Sequence, residues 1–230
     1  MGILVYRDAA SACAAAATLF AAQIIETPDS TLGFVTGSTP SGVYSRLVNM
    51  TASGLLDWSD VKTFNLSEYA GLPAGHPDSS LACMEEQLFD KVGIKRRNIH
   101  LPRVDARDLS AACSDYEDEI INAGGIDLML LCLNRNGSIG FNAPDREFPS
   151  VTHAVALPCE EGAKPRYAVT MGIGTIMSAR RIVMLATGEE KAEAVARMLN
   201  SAVSPSLPAT VLQLHRKVTY ILDEAAASKI

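Results

Sequence analysis

Three stretches of this chain, residues 31–35, 126–133 and 181–186, are apolar on both faces of an extended strand. Strands of that kind belong in a parallel sheet covered on both sides, where neither face meets water. Parallel neighbours cannot be joined by hairpins, so the segments between them must cross over, usually as helices. The sequence supplies that alternation. Residues 3–6, 61–66, 168–171 and 218–222 read as further strands, and 9–25, 41–50, 81–92, 106–122 and 191–199 as helices. Met84, Leu88 and Val92 recur at helical spacing, as do Ala192, Val195 and Met198 with Leu199. Pro40 suits the first turn of its helix. The expected fold is α/β: a single-domain, doubly wound, mostly parallel sheet with helices on both faces and right-handed crossovers. At 230 residues the chain is ample for one core and short for two, and no repeat, low-complexity tract or linker divides residues 1–230.

A net charge of −6 argues against binding to a nucleic-acid backbone, which needs a basic face to release counterions. An anionic small molecule is a different matter, since a pocket needs only one or two local cations. The alanine-rich stretch 9–22 is interrupted by Ser11 and Thr18 and followed by Gln23 and Glu26. With no basic segment before it and no cleavage site, it reads as a packed surface helix of a cytoplasmic protein, neither signal peptide nor membrane span. Cys13, Cys83, Cys113, Cys132 and Cys159 are odd in number and form no CxxC pair, so they read as small buried hydrophobes. No metal and no cofactor is expected.

Ligands of a doubly wound sheet sit beyond the carboxyl ends of its strands, so the loops there carry the functional signal. After residues 31–35 comes Thr36-Gly37-Ser38-Thr39-Pro40 and then a helix. Gly37 lets the backbone approach a ligand, Ser38 and Thr39 offer hydroxyls, and the helix presents free N–H groups, together a site for a phosphate. The same residues would also serve as a plain helix cap. Lys191 follows another strand, in the first turn of a helix whose dipole it opposes, so a bound anion there would relieve a local conflict.

The ordered blocks GSTP, TFNLSEY, GLPAGHPDS, NRNGSIGFNAP, GEEKAEAV and LQLHRK run through nearly the whole chain, from Ile3 to Ala226. Together they resemble the glucosamine-6-phosphate deaminase family. The resemblance implies conversion of glucosamine 6-phosphate to fructose 6-phosphate and ammonia, without a metal. It also implies phosphate contacts at Gly37, Ser38, Thr39 and Lys191. In that family an aspartate of the LDEY turn moves a proton between sugar carbons 1 and 2. A histidine of the NGHIGFNEP loop helps open the ring, and a glutamate of the same loop tunes the histidine. Position by position, the aspartate falls at Ser67, the histidine at Ser138 and the glutamate at Ala143. Asn136 falls where members carry Asp or Asn.

Further departures surround these three. Cys132 and Asn134 replace glycines beside the sugar, and Ser80 replaces a tyrosine after the HPxS turn. The segment between Leu157 and Tyr167 is much shorter than the family's lid, and Arg166 matches a lysine before the next strand, so the lid arginine's role is not transferred to it. Serine is too weak an acid and base to replace aspartate near neutral pH, and a positioned general base is worth on the order of 10²–10⁴ in rate. The expectation is a sugar-phosphate binder of the glucosamine 6-phosphate or fructose 6-phosphate class with impaired or absent turnover. The alternatives are an active deaminase using other groups, such as Glu68, and a non-catalytic partner of an active homologue. The family includes monomers and larger assemblies, which leaves homo-oligomerisation open. Glu68 and Tyr69 read as structural, His215 as a packing or capping residue, and Trp58 as packed beside Leu55 and Leu56. His76 and His153 have no carboxylate at an obvious spacing.

Overall fold

The three apolar runs become adjacent strands at the centre of a seven-stranded parallel sheet. They belong to a computed structural model that describes residues 2–73, 75–158 and 166–230. The first half of the chain forms β1 (Gly2–Tyr6), α1 (Ala9–Glu26), β2 (Thr31–Phe34), α2 (Ser38–Ala52), β3 (Lys62–Asn65), β4 (Ser67–Ala70), α3 (Ser80–Met84), α4 (Asp90–Val92), β5 (Ile99–His100) and α5 (Leu109–Asn122). The second half forms β6 (Leu128–Cys132), β7 (His153–Leu157), β8 (Arg166–Thr170), α6 (Ile173–Met177), β9 (Arg181–Ala186), α7 (Ala192–Asn200) and β10 (Val218–Asp223). The strand order is β1-β10-β9-β6-β2-β3-β5. From β2 the chain runs outward to β3 and β5, then returns to the other side of β2 with β6. The order therefore reverses between β2 and β6, and the crevice at that switch point is where such sheets take ligands.

Aromatic packing shows both faces covered. The Phe34 ring stacks on Phe20 of α1 at 5.3 Å, meets Tyr44 of α2 edge-on at 5.5 Å and lies 6.5 Å from Trp58. Trp58 is buried and donates its indole N–H to Thr51 Oγ1. In the parallel register Phe34 pairs with Asn65, so Phe64 points to the opposite face. There it stacks on His100 at 4.4 Å and packs on Tyr116 of α5 at 5.7 Å. Helix α1 is long and apolar enough to cross a membrane by length and composition. Its Ala12, Ala16, Phe20 and Ile24 are instead buried in the protein core. Side-chain caps set two helix starts: Asp8 accepts from Ser11 N–H, and Asp108 accepts from Ser110 and Ala111 N–H. The second cap moves the start of α5 from residue 106 to Leu109.

The structure departs from the sequence reading in two places. Residues 168–171 do not join the parallel sheet; they lie in β8, the middle strand of a separate antiparallel sheet ordered β4-β8-β7. Ser67-Glu68-Tyr69, read as a polar turn, is β4. Both β4 and β7 are short and only half-buried, so neither shows the continuous apolar run that marks a strand of the main sheet. Residues 81–92 are one helical stretch in sequence but three pieces in space. Between α3 and α4 runs a π-helical segment, Glu85–Phe89, with Leu88 and Phe89 buried.

Leu66 joins the two sheets through its backbone. Its N–H donates to Phe34 O of the main sheet at 2.8 Å, and its C=O accepts from Met171 N–H, just past β8, at 2.8 Å. The small sheet is braced a second time at Gly172, where Ile173 N–H bonds Pro149 O and Thr175 N–H bonds Ser150 O. A Cβ on Gly172 would meet Val151 O at 2.3 Å and the Ser150 carbonyl carbon at 2.6 Å. Both obstacles are backbone and cannot swing aside. Gly172→Ala is expected to cost about 1–3 kcal/mol, the usual penalty of overpacking, read as a lower urea midpoint with an unchanged m-value.

Candidate functional site

Gly37 has φ +141° and ψ 178°, a region in which side-chain-bearing residues are strained. Space does not demand glycine there, since the nearest obstacle to a Cβ is Pro40 Cδ at 3.7 Å. The end of β2 is held just before the turn by Tyr44, whose hydroxyl donates to Val35 O and accepts from Val35 N–H. Burial pushes the Tyr44 hydroxyl pKa well up, so it remains a donor. No side chain caps α2, which leaves the N–H groups of its first turn for a ligand. Thr36 Oγ1 lies 3.5 Å from Ser80 Oγ across the turn. Behind the turn, Cys13 Sγ donates to Thr39 O at 3.6 Å, and a Cβ on Gly42 would sit only 2.8 Å from that sulfur. The glycine thus lets α1 and α2 meet closely under the phosphate turn.

Lys191 caps α7 from a 3₁₀ turn, Glu189–Lys191. That turn is tied to the end of β10 by buried Asp223, whose two oxygens accept from Gly188 N–H at 3.0 and 3.1 Å. Asp223 Oδ1 also accepts from Ala226 N–H at 2.8 Å. Cys132 lies within electrostatic reach of both Cys13 and Lys191. Burial pushes its thiol up to about 12; Cys13 adds to the shift, and the Lys191 ammonium opposes it.

The loop after β6 holds the other expected positions. Asn134 Nδ2 donates to Ser138 Oγ at 2.9 Å and to Gly140 O at 3.2 Å. Asn136 Oδ1 accepts from Ser138 N–H at 3.1 Å. Asn134 and Ser138 therefore bond each other across the turn. Asn142 Nδ2 pins the loop to Ile139 O and Met171 O at 3.0 and 2.9 Å. Gly140 sits where a Cβ would be 2.9 Å from both Leu66 Cδ2 and Thr170 Oγ1. Because Thr170 pairs with Ser67 in the small sheet, the loop packs directly beside the Ser67 strand. Ser138 is buried, Ser67 half-buried, and Ala143 exposed.

Glu68 is buried beside Ser67, and its carboxylate accepts from Tyr69, Ser80 and Leu81 N–H at 2.7, 2.7 and 2.9 Å. It ties β4 to the first turn of α3, the structural role read from the sequence. His215 bridges Ala179 O and Lys217 N–H, also as expected of a packing residue. His76 does have an acidic neighbour: its Nδ1 lies 3.8 Å from Asp78 Oδ2 and accepts from Asp78 N–H.

A cavity of about 560 Å³ opens on the turn, lined by Thr36 and Gly37 on one side and Tyr69, Ser79, Phe141 and Arg166 among others on the rest. Ser38, Thr39, Lys191, Ser67, Ser138 and Ala143 are not among its lining residues. Among the described residues Arg166 is the cation that lines it, beside the carboxylate of Asp78, and sequence reasoning assigned Arg166 no role. The signal lay in GLPAGHPDS and in Arg166 itself, since the 76–79 turn and the start of β8 face the same space. Residues 159–165, including Cys159 and most of the short lid segment, lie outside the described residues. Among the described residues no group of three His, Cys, Asp or Glu side chains could hold a metal ion.

Residues 7–221 match the family described as glucosamine-6-phosphate isomerases/6-phosphogluconolactonase. A glucosamine-6-phosphate deaminase of Shewanella loihica is 43% identical, covering 100% of this chain and 90% of its own length. One from Clostridioides difficile is 44% identical, covering 100% and 97%. The solved structure of a monomeric glucosamine-6-phosphate deaminase superposes with a TM-score of 0.94 at 36% identity over the full length of both chains. The Shewanella alignment runs over 241 positions against the 230 residues of this chain, so that relative carries residues this chain lacks.

Replacing Glu68 by Gln puts an amide N–H₂ against a backbone donor and removes the charge from three hydrogen bonds. Glu68→Gln is expected to lose about 1.5–3 kcal/mol in urea denaturation. Cys132 is half-buried by surface but its thiol is pushed up to about 12, so it is expected to react with iodoacetamide at pH 8 more slowly in the native protein than once unfolded, followed by peptide mass spectrometry.

Proposed function

The chain belongs to the glucosamine-6-phosphate deaminase family, and from that premise we propose that it binds a sugar phosphate of the glucosamine 6-phosphate or fructose 6-phosphate class without deaminating it. The phosphate is received by the Gly37-Ser38-Thr39 turn, with Lys191 and Arg166 as the available cations. Free N–H groups at the start of α2 support this reading, as does the φ of Gly37. A phosphate dianion that also meets the Lys191 ammonium would offset the unfavourable placement of that charge at the start of α7.

The observation that carries the loss of turnover is the Asn134–Ser138 hydrogen bond. Ring opening and proton transfer in this family rest on a histidine, a carboxylate tuning it and a carboxylate base. The matching positions hold a hydroxyl occupied by Asn134, a methyl group at Ala143 and the hydroxyl of Ser67. None of these accepts or returns a proton near pH 7. Asn134 adds a side chain where the loop backbone would otherwise approach the sugar.

A second reading keeps turnover, favoured by identities of 43–44% to proteins named as deaminases. It needs a base other than those three. Glu68 is the nearest carboxylate to Ser67 in sequence, and its oxygens already accept three backbone N–H groups.

Calorimetry with glucosamine 6-phosphate and fructose 6-phosphate, beside coupled ammonia detection, separates the two. We expect binding with no ammonia release, and at least tenfold weaker binding by Lys191→Ala. Turnover in the ordinary range of about 1–10³ s⁻¹ would overturn the reading. Ser67→Asp, Ser138→His and Ala143→Glu introduced together should gain measurable turnover only when Asn134→Gly is added. Equal rates with and without that fourth change would remove Asn134 from the account.

A further inference from the structure

We propose a second anion site on the opposite edge of the sheet, shaped for an organic phosphate with an apolar group. The segments entering β9 and β10 enclose a cavity of about 350 Å³, with Arg180, Arg216 and Lys217 on its walls and Met177, Ala179 and Leu214 as its apolar part. It lies at the amino ends of these strands, away from the Gly37 turn at the carboxyl ends.

The walls are held in place before any ligand arrives. His215 Nε2–H donates to Ala179 O at 2.8 Å, and His215 Nδ1 accepts from Lys217 N–H at 3.1 Å. One imidazole thus staples the segment before β9 to the segment before β10. Arg180 is anchored by Asp127, which also accepts Thr31 N–H, and by Gly124 O at 3.3 Å. Arg216 and Lys217 make no ion pair among the described residues.

Three cations gathered around one small concavity are notable in a chain of net charge −6. Only Arg180 has its charge met by a carboxylate, so Arg216 and Lys217 are left to pair with a dianion. Beside them Leu214 is 68% exposed, a large apolar side chain on the rim of a charged pocket. A phosphate monoester with a ring or alkyl group satisfies both halves: the phosphate meets Arg216 and Lys217, and the apolar group covers Leu214 and Met177. The volume admits a ligand of that size and excludes a polymer.

Phenyl phosphate is a suitable probe, titrated into the isotopically labelled protein while backbone amide resonances are followed. Saturable shifts at Ala179 and its neighbours are expected, with a dissociation constant at least tenfold higher in the Arg216→Ala/Lys217→Ala variant. Inorganic phosphate should bind there several-fold more weakly than phenyl phosphate, and Leu214→Ser should abolish that difference. All three side chains are exposed, so the variants should retain the amide spectrum of the folded protein. Shifts confined to Gly37–Thr39, or equal affinity in the double variant, would overturn the site. Equal binding of the two probes by the unaltered protein would overturn its apolar half.

Discussion

Two backbone hydrogen bonds at Leu66 fix the geometry on which everything at the carboxyl edge depends. One holds Leu66 to the main sheet at Phe34, and the other holds the Met171 end of β8 to Leu66. Because they use the N–H and C=O of one residue, the two sheets cannot shift independently. Ser67, the next residue, is placed by that junction. The Leu66 side chain then serves as the surface on which Gly140 rests, so the β6 loop takes its position from the same point. A turn after β2, a strand after β3 and a loop after β6 thus share one reference frame.

Within that frame the residues of the candidate site divide by what they support. Gly37, Gly140, Asn142 and Glu68 each answer a backbone need: a positive φ, a close approach, or hydrogen bonds to main-chain groups. Ser67 and Ala143 answer none; among the described residues neither side chain makes a hydrogen bond. The fold makes no evident demand on either side chain. Ser138 is the exception, because Asn134 has drawn its hydroxyl into the loop's own bonding.

The main sheet was legible because its signal is redundant. At residues 31–35, 126–133 and 181–186 nearly every side chain is apolar, and no register error could hide that. The small sheet was not legible, since β4 begins with Ser67-Glu68 and β7 contains Ala154 and Ala156, poor strand formers held by pairing with β8. The π-helical segment at Glu85–Phe89 left no trace in the pattern, because consecutive inward residues such as Leu88 and Phe89 also occur in regular helices, as at Ala16 and Ala17 of α1. The turn into α2 at Gly37 could be read from four letters because glycine and proline mark a turn entering a helix, while the same hydroxyls suit either a phosphate or a plain cap. Arg166 could not, because its approach to Gly37 depends on the antiparallel pairing that the sequence concealed. The Asn134–Ser138 bond was equally hidden: the residues were visible, but their contact needed the turn between them.

That bond gives sequence change in this loop a direction. Ser138 is buried and its hydroxyl accepts from Asn134, so exchanging Asn134 takes that donor away from a buried oxygen, whereas Asn134 is exposed and keeps its bond to Gly140 O and access to water. The two positions are therefore coupled unequally: a change at Asn134 is felt by a buried hydroxyl, whereas a change at Ser138 is felt by an amide that water can reach.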